Sequence, residues 1–218
     1  MTRELGREEQ RARRALSKEF DRAIKARAKG SGWRFASGTL FQEFRGWFVS
    51  VKASVWVAQP TTRIELRVKP MALDPVFWEI VETPTNGDLP LSFRENGSWT
   101  CRTPAFAADE LDELGPDVTA LADSALAWAK GKLATIESLS TESFLEWLSA
   151  HPRRNAHIAT LVGALILAGH LDRARQLCIE GLERGESGGF SITRDTARSD
   201  SFFALAINWL QLHAQRVH

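Results

Sequence analysis

The chain has 218 residues, a formal net charge of +1 and an apolar fraction of 44%, enough to bury a core and to build one domain or two small ones. No apolar run reaches the ~18 residues of a membrane span, and the opening stretch MTRELGREEQRARR lacks the apolar segment of a secretory signal. Cys101 and Cys178 are too few for a disulfide framework and read as reduced thiols of a cytoplasmic protein.

The small net charge hides a segregation. Residues 1–30 carry a net +5, residues 31–102 a net +1, residues 103–150 a net −7 and residues 151–218 a net +2. A basic first segment and an acidic middle one suit either each other or two separate partners, and mutual docking is the simpler expectation.

Residues 5–28 predict one amphipathic helix. Ala12, Leu16, Phe20, Ile24 and Ala28 recur every fourth residue, with Leu5, Ala15 and Ala23 widening the stripe. Gly30-Ser31-Gly32 ends it with residues that tolerate positive φ. Residues 33–102 hold 11 of the 20 aromatic residues and form the β region. Strands are expected at 33–35, 40–44, 47–57 and 62–69, with Arg45-Gly46 as a tight turn. Trp47, Val49, Val51, Ala53, Val55 and Val57 share one parity; Ile64, Leu66 and Val68 repeat the rhythm, which marks the buried face of a sheet. Asp74-Pro75 predicts a helix start with Asp74 as cap and Val76–Val81 as helix. Glu95-Asn96-Gly97 between short apolar runs predicts a hairpin.

From about residue 105 the pattern turns helical. Helices are expected from Pro116-Asp117 to Leu133, from Ser140 or Thr141 to Ser149, from Asn155 to Ala168 and from Asp172 to Arg184. Residues 185–198 read as a glycine-rich loop, and Asp200 as the cap of a last helix carrying Phe203, Ile207 and Leu210. The fold class is therefore α+β: an N-terminal helix on a small antiparallel meander, then a helical C-terminal half. A boundary near residue 104 separates 1–104 from 105–218, unless the two share one core.

Catalytic motifs are absent from the sequence. His151 and His157 are six apart and do not share the i, i+4 face of a zinc helix. No Gly-x-Ser-x-Gly elbow or phosphate-binding loop occurs. Asp109, Glu110, Asp112 and Glu113 read as a solvated loop or helix face rather than an acid–base pair. No base is placed near Cys101. No cofactor or metal is expected.

The second face of the sheet is the candidate site. A register opposing Trp56 to Arg63 also opposes Ser54 to Glu65, Lys52 to Arg67 and Ser50 to Lys69. The Arg45-Gly46 turn sets Phe41 opposite Ser50 and Glu43 opposite Phe48 on the same face. Phe41, Phe48 and Trp56 would then stand among Lys52, Arg63 and Arg67 as an exposed aromatic and basic surface. Aromatic and arginine side chains of this kind dominate protein interfaces and also stack on single-stranded nucleic acid. The alternative is that a helix covers the face and makes the aromatics core. Lys52 opposite Arg67 needs Glu65 or another acid nearby.

Two resemblances accompany this reading. LVGALILAGHLDRARQL, with Leu161, Leu165, Gly169, Leu171, Ala174 and Leu177, resembles one tetratricopeptide-like helical hairpin over residues 159–185, departing from it at Gly181. KPMALDPVFWEIV and LPLSFRENGSWTC, in their order after the first helix, resemble uncharacterised bacterial α+β domains, some of them immunity-protein-like. The expected function is a non-enzymatic cytoplasmic protein-binding module, or more narrowly a toxin-neutralising one that occludes its partner through Phe48, Trp56, Arg63 and Arg67. The alternatives are an enzyme with dispersed site residues, such as a hydrolase, and single-stranded nucleic-acid binding through the sheet face. The partner is expected to be another protein. The near-zero net charge and the acidic 103–150 segment count against nucleic acid, no membrane is implicated, and oligomeric state is open.

Overall fold

The computed structural model describes residues 6–55, 62–111, 117–193 and 199–214. The chain divides into two compact units, residues 1–68 with 105–138 and residues 69–104 with 139–218. It passes between them at 68/69, 104/105 and 138/139.

The first unit is a five-stranded sheet with two helices. Helix α1 (Arg7–Ala28) leads through Gly30 and Gly32, both at positive φ, into β1 (Arg34–Ala36), β2 (Thr39–Phe44), β3 (Trp47–Val55) and β4 (Thr62–Pro70). The strand order is β1-β2-β3-β4-β5, so the meander is sequential. Its first two turns have the same chemistry. Ser37-Gly38 and Arg45-Gly46 each place two residues at positive φ (51° and 77°, 50° and 81°). That conformation twists a two-residue hairpin in the hand the strands require. It fixes Ala36 opposite Thr39, and then Phe44 opposite Trp47, Phe41 opposite Ser50 and Glu43 opposite Phe48, as the sequence register predicts.

The fifth strand corrects the reading of residue 105 as the start of the helical half. β5 (Ala107–Leu111) pairs antiparallel with β4, setting Arg63 opposite Glu110 and Ile64 opposite Asp109. Its single short run of apolar residues has no period to read, and its partner strand supplies what local propensity does not. Asp117 then caps α4 (Val118–Glu137) by accepting from the Thr119 and Ala120 N–H groups. Ala122, Ala125 and Ala129 are fully buried where α4 packs along α1. Both helices also contact β3, so they form one layer against the sheet. Phe20, Ile24 and Ala28 are the buried end of the α1 stripe, whereas Leu16 is half-buried and Ala12 exposed.

The second unit is helical. Its elements are α2 (Leu73–Ile80), the one-turn α3 (Phe93–Asn96), α5 (Thr141–Ala150), α6 (Ile158–Leu167), α7 (Leu171–Glu183), a two-stranded β6 (Ser191–Thr193) and β7 (Ser199–Ser201), and α8 (Phe202–Ala214). Helix α6 is central: residues 160–166 are buried all round, against α2, α5 and α7. A helix apolar on every side belongs in a core. Gly169, at φ 76°, turns α6 into α7. A Cβ at Gly181 would overlap the Phe203 ring, so glycine lets α7 and α8 approach closely.

Several local expectations are corrected here. The Asn96-Gly97 hairpin is instead α3, and Gly97 is extended at φ −76°. Asp74 does not cap α2; Ala72 is the residue before the helix, and the Asp74 carboxylate is taken by buried cations. Asn155 lies in a 3-10 turn, Arg154–His157, that precedes α6. The cap of α8 is Ser201, whose Oγ accepts from the Ala204 N–H, rather than Asp200. The expected loop after residue 185 carries β6 and plants Phe190 in a ring cluster with Phe77, Trp99 and Phe202, at centroid distances of 5.7, 4.9 and 5.3 Å.

Candidate functional site

The candidate aromatic face of the sheet is largely core. Phe41 is 3% and Phe48 1% exposed, and their rings stack with centroids 6.2 Å apart. Ser50 is buried beside them. Trp56, and with it the register opposing Trp56 to Arg63, lies outside the described residues. The physical reason is visible in β2 and β3. Both parities there are apolar, Leu40, Val49 and Val51 on one and Phe41 and Phe48 on the other, which marks strands buried on both faces. Alternation shows which residues share a face, not what lies against it.

The basic members do reach solvent. Lys52 is exposed, Arg63 is 60% and Arg67 35% exposed at the side chain. They are not bare cations. Glu65, between them on β4, accepts from Arg63 at 3.0 Å and from Arg67 at 3.3 Å. Glu110 of β5 stands opposite Arg63. Asp109, the next residue, accepts from the Trp128 Nε1–H of α4 at 3.2 Å and so ties the helix to the sheet edge. The acidic run is thus partly a structural edge strand, and the face is an internally compensated ionic strip.

The second unit holds a buried polar knot that the sequence does not announce. The fully buried Asp74 carboxylate accepts from Lys69 Nζ at 2.9 Å, from Arg94 at 3.2 Å and from the Cys101 N–H at 2.9 Å. Lys69 Nζ also donates to the Arg94 and Cys101 carbonyls at 2.7 and 2.8 Å. Arg94 donates to the Met71 carbonyl at 2.8 Å, and its guanidinium lies 5.3 Å from the Trp78 ring centre. Trp78 Nε1–H donates to the Trp99 carbonyl at 2.6 Å. Every donor of the ammonium has an acceptor, as a buried charge requires. This buried knot holds α2, α3 and residues 99–101 together.

It also settles Cys101. Burial, and then the neighbouring Asp74 carboxylate, push its thiol far above the usual range. Cys178 is pushed up to about 12 by burial. Neither is a thiolate nucleophile near neutral pH. Among the described residues no group of three or more His, Cys, Asp or Glu side chains gathers to hold a metal ion, and no helix is long and apolar enough to cross a membrane.

A groove of about 320 Å³ runs along α5, α6 and α7. Leu161 and Leu165 of α6 and Leu177 of α7 line it with apolar surface, and Ser149, Arg154, Arg173, Gln176 and Glu180 supply its polar groups. Arg173, Gln176, Leu177 and Glu180 share one face of α7 through spacings of three and four. Arg154 donates to the Ser149 carbonyl at 3.3 Å and the Gln176 amide to Glu180 at 3.0 Å. Arg173 has no ion pair or hydrogen bond among the described residues. An apolar lining with two guanidiniums is suited to take an apolar side chain and a carboxylate together. The lining residues include no histidine or cysteine and one carboxylate, that of Glu180.

Sequence reasoning missed this site because its residues come from three helices and carry no motif. The stretch likened to a helical hairpin contains most of them, yet only packing against α5 closes the groove. No family model matches the chain, and neither does a curated protein or a solved structure.

Proposed function

We propose that the chain is a non-enzymatic protein-binding module, and that its contact surface is the groove along α5, α6 and α7 rather than the sheet face. The observation that carries the reading is the lining itself: leucines beside Arg154 and an Arg173 with no ion pair among the described residues. The occupant is a peptide segment of a partner protein, with a carboxylate against the arginines and an apolar side chain against Leu177, the lining leucine that is not buried. The burial of Phe48 removes it from any occluding surface, so the sheet contributes Lys52 and the Arg63–Glu65–Arg67 strip at most. The narrower role is cytoplasmic toxin neutralisation, supported by the likeness of residues 5–102 to immunity-like domains; the partner is then an enzyme that the module occludes.

The test is affinity purification from native lysate with the full chain as bait. Arg154→Glu with Arg173→Glu is expected to release the partner, while Lys52→Glu with Arg63→Glu leaves it bound. A partner retained by the first variant and lost by the second returns the site to the sheet.

A further inference from the structure

Helix α1 carries a second, independent surface. Arg7, Arg11, Arg14, Lys18, Arg22 and Lys25 follow one another at spacings of four, three, four, four and three, and all six are exposed. At 3.6 residues per turn they fall within about 80° of arc and run about 27 Å along the axis. None of the six makes an ion pair or side-chain hydrogen bond among the described residues. The expected docking of the basic segment on the acidic one accounts for a different residue, Arg27, which pairs with Asp123 of α4 at 2.8 Å. Of the helix's carboxylates, Glu8 and Glu19 stand three residues before Arg11 and Arg22 on the stripe's edge, and Asp21 lies beside it, half-buried, with its pKa raised by desolvation.

Five successive like-charge neighbours at these spacings destabilise a helix. The charges do not serve the packing of α1, whose buried side is Phe20, Ile24 and Ala28. They form a regular linear array of positive charge, and its complement is a regular linear array of negative charge.

We infer that the outer face of α1 binds the phosphate backbone of a duplex nucleic acid without reading its sequence. Four of the six cations are arginines, whose planar fork matches phosphate oxygens. The stripe holds no aromatic side chain to stack on unpaired bases, which sets it apart from single-strand platforms. A lipid surface is the poorer fit, because an interfacial helix must offer its apolar side to the bilayer and that side of α1 is occupied from Phe20 onward. Base-independent phosphate contact is the chemistry left.

Fluorescence anisotropy of the full chain with a labelled duplex of arbitrary sequence, as DNA and as RNA, tests this. Six phosphate contacts give a slope of log K against log salt of about −5, so affinity falls roughly a thousandfold between about 50 and 200 mM salt. The triple variant Arg11→Gln, Arg14→Gln, Lys18→Gln is expected to bind more weakly and to lose about 3 from that slope. Its three side chains are exposed, and glutamine sustains a helix, so an unchanged circular dichroism spectrum certifies the fold. No duplex binding at about 50 mM salt, or undiminished binding by the triple variant, overturns the inference. Binding to phosphatidylserine vesicles without duplex binding also overturns it and assigns the stripe to a membrane.

Discussion

Arg63, Glu65, Arg67 and Lys69 share strand β4 and one parity, yet the two ends of the series sit in opposite electrostatic regimes. Arg63 is 60% exposed and shares Glu65 with Arg67. Lys69 is 5% exposed and meets an Asp74 with no exposure at all. A solvated ion pair gains little, because water and salt screen it and two long side chains lose freedom. A buried pair must be completed by hydrogen bonds, and then breaking it leaves an uncompensated charge. The same alternating letters therefore encode a strip that is partly solvated and an internal knot that is buried.

The sharpest way to break this comparison is Asp74→Ala, which strands Lys69 and Arg94 in the interior. It is expected to cost about 3–5 kcal/mol, read as a large drop in the urea midpoint. A loss below about 1 kcal/mol would mean that the knot is a solvated pair like the strip. Gly181→Ala comes next. The added methyl meets the Phe203 ring, and overpacking of this kind costs about 1–3 kcal/mol against the roughly 1 kcal/mol that alanine returns to a helix. Net destabilisation in thermal unfolding is expected; a gain would show that α7 and α8 have room between them.

Glu65→Ala is the counterpart on the strip, with an expected cost of about 1 kcal/mol or less. A cost matching that of Asp74→Ala would erase the distinction. A further prediction concerns pH. Burial pushes the Cys178 thiol up from the ordinary 9.0 to about 12. A pKa raised on folding contributes stability that is whole below the unfolded value and is lost as pH rises through the window up to the folded one. Stability is thus expected to fall between about pH 9 and 12, less steeply in Cys178→Ala. An identical alkaline slope in that variant would deny the thiol's burial.

Much of the fold was legible. The Arg45-Gly46 turn and a period-two rhythm carried the β2–β3 register, a helix opens at Asp117 as read, and Ser140, one of the two caps read there, caps the next; the Ser37-Gly38 turn was not read. The failures share a cause. Asp74, Asn96-Gly97 and residues 107–111 each obey a partner distant in sequence: a buried lysine and arginine, the knot around α3, and the edge of β4. Local propensity is silent about such partners. The candidate site was legible only as charge. Lys52 and Arg63 are exposed, but Phe41 and Phe48 are core because both parities of β2 and β3 are apolar. The groove assembles Ser149, Arg154, Leu161 and Arg173 from separate elements, and no spacing rule reaches across them.

The central claim is that recognition resides in the groove along α5, α6 and α7. The most direct measurement is selection of a displayed random-peptide library on the immobilised full chain, followed by titration of the enriched peptides. The account predicts sequences pairing an acidic with an apolar residue, whose binding is abolished by Arg154→Glu with Arg173→Glu and unchanged by Lys52→Glu with Arg63→Glu. Enriched peptides indifferent to the groove variant, or no enrichment at all, would contradict it.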